Sequence, residues 1–116
     1  MEGETYVVTI SKGDGKWEID NKSLKVRRGD TIVWQFGKEK PDKAYFQFPY
    51  DLLVKTRGSF DVVERETLSK ADADPLVLHI LEKEDVVSTR PYYYAIFIEN
   101  GFVEGENPPP RMEVGG

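Results

Sequence analysis

The side chains that most often carry chemistry are scarce in this 116-residue chain: it has no cysteine and a single histidine, His79. Without a thiol there is no disulfide, no thiolate metal centre and no cysteine nucleophile. His79 sits in the apolar run Leu76-Val77-Leu78-His79-Ile80-Leu81 and has no second histidine with which to share a metal. The expectation is a hydrogen-bonded, half-buried ring rather than a ligand or general base. Carboxylates at Asp72 and Asp74, at Glu82, Glu84 and Asp85, and at Glu99, Glu104 and Glu106 follow no EF-hand spacing and read as solvated acidic turns. Gly13-Asp14-Gly15 lacks the strand-to-helix setting of a phosphate loop and reads as hairpin chemistry. The serines sit in no nucleophile elbow. No catalytic, cofactor-binding or metal-ligating residue is therefore assigned. The expected protein is not an enzyme and carries no cofactor, a cofactor-independent enzyme being disfavoured for want of a nucleophile–base set.

What remains is aromatic. Tyr45, Phe46, Phe48 and Tyr50 form one dense group and Tyr92, Tyr93 and Tyr94 another. Alternation along a strand turns half of each run outward, so some of these rings can form a recognition surface. Tyr45, Phe46, Tyr50 and Tyr93 are the candidate contact residues. The expected partner is a protein, a second copy of the chain included. The alternative is carbohydrate stacked on exposed rings, with the acidic loops supplying hydrogen bonds or calcium ligands.

Composition narrows the field further. The net charge is −5 and the isoelectric point about 4.9, which gives no overall footprint for a phosphate backbone; nucleic acid is not an expected partner. Lys25, Arg27 and Arg28 form only a local basic patch. Residues Met1 to Ile10 hold no apolar run of signal-peptide or membrane-span length. The expectation is a soluble cytoplasmic protein with no membrane role.

The elements that must position these residues read as short strands. Tyr6 to Ser11 is β-branched and runs into the Gly13-Asp14-Gly15 turn. Trp17-Glu18-Ile19 and Leu24-Lys25-Val26-Arg27 alternate, and Arg28-Gly29-Asp30 marks another turn. In Thr31-Ile32-Val33-Trp34-Gln35-Phe36 the period of two puts Ile32, Trp34 and Phe36 on one face. Ala44 to Phe48 is a strand closed by Pro49. Residues 50–75 hold short apolar anchors and at most a short helix, with Glu64 to Ala71 favourable for one or two helical turns. Leu76 to Leu81 reads as a strand buried on both faces, Tyr92 to Ile98 as one aromatic strand, and Arg111 to Val114 as the last strand beyond Pro108-Pro109-Pro110. With no repeat or linker, residues 1–116 read as one domain.

The order of these features resembles the cupredoxin family. Leu24-Lys25-Val26-Arg27-Arg28-Gly29-Asp30-Thr31-Ile32-Val33-Trp34 is similar to its strand, Gly-Asp turn and Trp-bearing strand. Tyr92-Tyr93-Tyr94-Ala95-Ile96 is similar to the strand that delivers the copper cysteine, and Gly105 through Val114 to the closing segment. The matching stretches cover about half of the chain. The resemblance implies an all-β, Greek-key β-sandwich or barrel of about seven or eight strands. It implies no copper: such a site needs two histidines and a cysteine, often with an axial methionine, whereas Ile96 stands at the cysteine position and Met112 falls in the last strand. The resulting expectation is a metal-free cupredoxin-like binding or assembly module that contacts a protein partner, without a redox role.

Overall fold

The computed structural model describes residues 3–83, 91–98, 101–102 and 110–115, and every regular element among them is a strand. In chain order these are β1 (Thr5–Gly13), β2 (Lys16–Ile19), β3 (Ser23–Arg27), β4 (Thr31–Phe36), β5 (Lys43–Gln47), β6 (Leu53–Val54), β7 (Arg65–Ser69), β8 (Leu76–Ile80), β9 (Tyr92–Tyr93), β10 (Ala95–Ile98), β11 (Gly101–Phe102) and β12 (Arg111–Gly115). They form three sheets, in the orders β2-β1-β4-β8-β6, β11-β10-β5-β7 and β3-β12-β9. The twelve described strands exceed the expected seven or eight, and three of them are only two residues long.

Turn chemistry fixes the first hairpin. Asp14 and Gly15 take positive φ of 51° and 79° between the paired residues Gly13 and Lys16, which is the two-residue turn whose twist suits antiparallel strands. The second turn works differently. Gly29 takes φ 84°, a left-handed conformation that side-chain-bearing residues rarely adopt, and a Cβ there would also displace the Glu82 carboxylate. Asp30 follows and is buried; its carboxylate accepts the amides of Arg27 at 2.8 Å and Glu4 at 2.9 Å. A buried carboxylate needs such donors, and here they tie the start of β1 to the β3–β4 turn.

Two of the strand pairs are parallel. β1 runs alongside β4 with Val8 opposite Trp34, and β3 alongside β12 with Leu24 opposite Met112. The antiparallel β4–β8 and β5–β10 pairs complete the frame. All three sheets turn apolar residues into one core: Ile32, Trp34 and Leu78 from the first, Phe46, Leu68 and Ile96 from the second, Val26 and Met112 from the third. Trp34 is the centre of an aromatic cluster, with ring centroids 5.8 Å from Phe46, 5.1 Å from Phe48 and 5.7 Å from Tyr94. Edge-on and tilted packing of this kind suits the ring quadrupoles. The indole N–H finds the Tyr94 hydroxyl at 3.4 Å.

Three expected elements are corrected. Glu64 to Ala71 contains β7 and no helical turn: Arg65, Thr67 and Ser69 alternate with buried Leu68, and the segment pairs antiparallel with β5. Tertiary pairing overrides local helix propensity there. β8 is covered on one face only, because Leu78 and Ile80 are buried while Val77 is exposed. Tyr92 to Ile98 is not one ladder. Tyr92–Tyr93 pairs with β12 and Ala95–Ile98 with β5, so the chain changes sheets at Tyr94, whose ring is in the core. The closing segment from Gly105 to Pro109 lies outside the described residues, as do Glu84, Asp85, Glu99, Glu104 and Glu106.

Candidate functional site

The four candidate contact residues go to different places. Tyr45 points out from β5 and is 42% exposed, whereas its neighbour Phe46 points in, is 2% exposed, and belongs to the Trp34 cluster. Phe46 is thus corrected from a surface ring to a core ring. Tyr50 is 65% exposed in the turn before β6, next to Asp51 at φ 61°. Tyr93 is 46% exposed on β9. It lies on the same continuous segment as Phe97 but four residues earlier, roughly 13 Å along an extended chain.

The ring that joins Tyr45 is Phe97. These two residues are register partners across β5 and β10, and Phe97 is 38% exposed. Thr67 stands opposite Tyr45 on the other side, across β7. A shallow groove of about 320 Å³ opens here, lined by Tyr45, Gln47, Arg65, Glu66, Thr67 and Phe97 among others. Its rim is ordered by side-chain contacts. Arg65 Nε donates to Gln47 Oε1 at 3.1 Å, Lys43 Nζ lies 5.5 Å from the Tyr45 ring centroid, and Lys55 meets Glu66 at 2.8 Å. The inner side of the same strands carries Ala44, Phe46, Leu68 and Ile96 into the core, which holds the outer side as a firm platform.

His79 has a different setting. It is the register partner of Thr31 across β4 and β8, with Nδ1 at 2.8 Å from Thr31 Oγ1. Arg57, on the loop after β6, donates Nη2 to that same hydroxyl at 2.9 Å. Burial, and then the Arg57 charge, push the His79 pKa below its ordinary value, while Glu82 pulls the other way. The lowered pKa favours the neutral ring, and Nδ1 shares a hydrogen bond with the Thr31 hydroxyl. This is a Thr–His hydrogen bond, but the hydroxyl is buried and also held by Arg57. The three residues fasten the β6–β7 loop to the first sheet.

Two other surfaces compare poorly with the groove. Val7, Val33 and Val77 stand in one row across β1, β4 and β8; Thr9 and Gln35, hydrogen-bonded at 3.3 Å, flank it on one side and Thr31 and His79 on the other, and the row itself holds no aromatic ring. A larger depression of about 740 Å³ borders Lys25, Arg27 and Arg28, the basic patch of the sequence. Glu4, Asp30 and Glu113 line it too, so it presents no single sign of charge. Among the described residues no three His, Cys, Asp or Glu side chains cluster as metal ligands, and no helix is long and apolar enough to cross a membrane.

Phe97 is not among the four candidate contact residues; the signal that marks it is alternation within Ala95–Ile98, where Ile96 and Ile98 are buried. Its pairing with Tyr45 depends on the β5–β10 register, which nothing local in the sequence sets. No protein-family model matches the chain, and comparison with curated proteins gives no match.

Proposed function

We propose that this protein is a metal-free, cupredoxin-like binding module whose outer β10-β5-β7 face docks a protein partner. The observation that carries the reading is the Tyr45–Phe97 pair: two exposed rings opposite one another, beside a shallow groove, with Arg65, Gln47 and Lys43 around them. Aromatic residues and arginine on a firm, semi-apolar patch are the usual anchors of protein interfaces. Supporting the cupredoxin-like part are the parallel β1–β4 and β3–β12 pairs, the Gly29-Asp30 turn before the Trp34 strand, and the buried Ile96 on the strand that follows Tyr92 to Tyr94.

The test is affinity capture from extract of the native cells, with the wild-type chain and with the double variant Tyr45→Ala/Phe97→Ala. Proteins retained by the wild type and lost by a variant of unchanged fold are the expected outcome. Identical sets from both proteins would sink the proposal. A glycan array probed with the same two proteins decides the carbohydrate alternative, which requires glycan binding that disappears with the rings.

A further inference from the structure

We infer that the segment docking at Tyr45 and Phe97 is an extended, acidic stretch of a partner protein, with carboxylates flanking an apolar side chain at alternate positions. The inference rests on the docking reading above and adds the partner's chemistry to it.

Charge is the first ground. The chain as a whole carries −5, yet no paired outer position of β5, β7 or the described part of β10 is a carboxylate. The one carboxylate among the groove's lining residues, Glu66, is already met by Lys55 at 2.8 Å. Arg65 and Lys43 remain, and among the described residues neither forms an ion pair with a carboxylate. An acidic protein with a local cationic face steers anionic groups to that face. The Arg65 Nε–H bond to Gln47 sets the guanidinium plane, which prepares it for a carboxylate through charge-assisted hydrogen bonds.

Spacing is the second ground. Lys43, Tyr45 and Gln47 follow one another on the outer side of β5, and Gln47 is the register partner of Arg65. Lys43, Tyr45 and the level of the Gln47–Arg65 pair thus follow at two-residue steps, about 6.6 Å each, with Arg65 one strand to the side on β7 and its Nε bonded back to Gln47. An extended peptide presents its same-side residues at the same repeat. An acid at i, an apolar residue at i+2 and an acid at i+4 meet Lys43, the Tyr45–Phe97 rings and Arg65 in turn.

The experiment is selection of binders from a displayed library of random dodecapeptides, with the full chain as bait, followed by binding measurements on the selected peptides. The expected peptides are enriched in the acid–x–apolar–x–acid pattern and are lost on Tyr45→Ala. They bind the folded Lys43→Glu/Arg65→Glu variant at least about tenfold more weakly, and their affinity falls as salt is raised. Peptides that need Tyr45 but show no acidic enrichment, or that bind the charge-reversed variant equally, overturn the inference and leave the docking reading standing. Peptides indifferent to Tyr45→Ala, or a library that yields no binder, overturn both. Wild-type self-association abolished by Lys43→Glu/Arg65→Glu in sedimentation measurements makes a second copy the occupant and also overturns the inference.

Discussion

Tyr45 on β5 and Phe97 on β10 face each other across an antiparallel pair, and both rings stay exposed while the next residue on each strand enters or approaches the core. Each ring is more than a third exposed, which limits the apolar surface that truncation to alanine takes out of the fold. A cross-strand pair on a solvated face is worth about 0.2–1 kcal/mol. We expect Tyr45→Ala and Phe97→Ala each to lower unfolding free energy by less than about 1 kcal/mol, as read by urea denaturation, while partner capture falls away. A large loss of stability from either would show that the rings are structural.

Trp34 is the opposite case. Its indole is fully buried among Phe46, Phe48 and Tyr94, so Trp34→Ala leaves a void that the surrounding strands cannot close. The cost expected is about 3–5 kcal/mol, measured by circular dichroism in urea. Trp17, partly buried with Lys12 Nζ 5.5 Å from its ring, is expected to cost clearly less when replaced by Ala.

Much of this core is legible in the chain, and the docking face is only half so. Ile32, Trp34 and Phe36 share one face by alternation with Thr31, Val33 and Gln35, and the Asp14-Gly15 turn has the residues its positive φ values need. Tyr45 also follows from alternation. Phe46, its immediate neighbour, was expected at the surface because two adjacent aromatic residues give no clue to which one faces in; packing against Trp34 decides. β7 escaped for a related reason: Glu64 to Ala71 has helix-compatible residues, and only its pairing with β5 makes it a strand. The change of sheet at Tyr94 depends on β12 and β5 lying on either side of one continuous segment.

Asp30 gives a sharper test of the turn before β4. Its carboxylate accepts the Arg27 and Glu4 amides, and Asp30→Ala removes both acceptors at once. A loss of roughly 2 kcal/mol is expected, since a buried donor left without a partner costs about 1–3 kcal/mol. Hydrogen exchange should rise at those two amides in particular; unchanged protection there would contradict the assigned role.

The partial burial of His79 beside Arg57 makes stability depend on pH. Folding lowers the pKa of the ring, through burial first and Arg57 second, so the unfolded chain binds the proton more readily. The stabilisation is fully present above the ordinary histidine value of 6.5 and is lost as pH falls from there through the folded value. Thermal unfolding of the wild type should show this decline on acidification below neutrality, and His79→Asn should remove that component. An unchanged slope in the variant would mean that other groups are responsible.

The most direct measurement places a photo-crosslinking benzoylphenylalanine at Gln47, beside the groove, and for comparison at Val77 on the outer face of the first sheet, in the native cells. The account predicts a discrete protein adduct from position 47 that vanishes when Tyr45→Ala is added, with no corresponding adduct from position 77. Equal adducts from both positions, or an adduct at 47 that survives Tyr45→Ala, would contradict it.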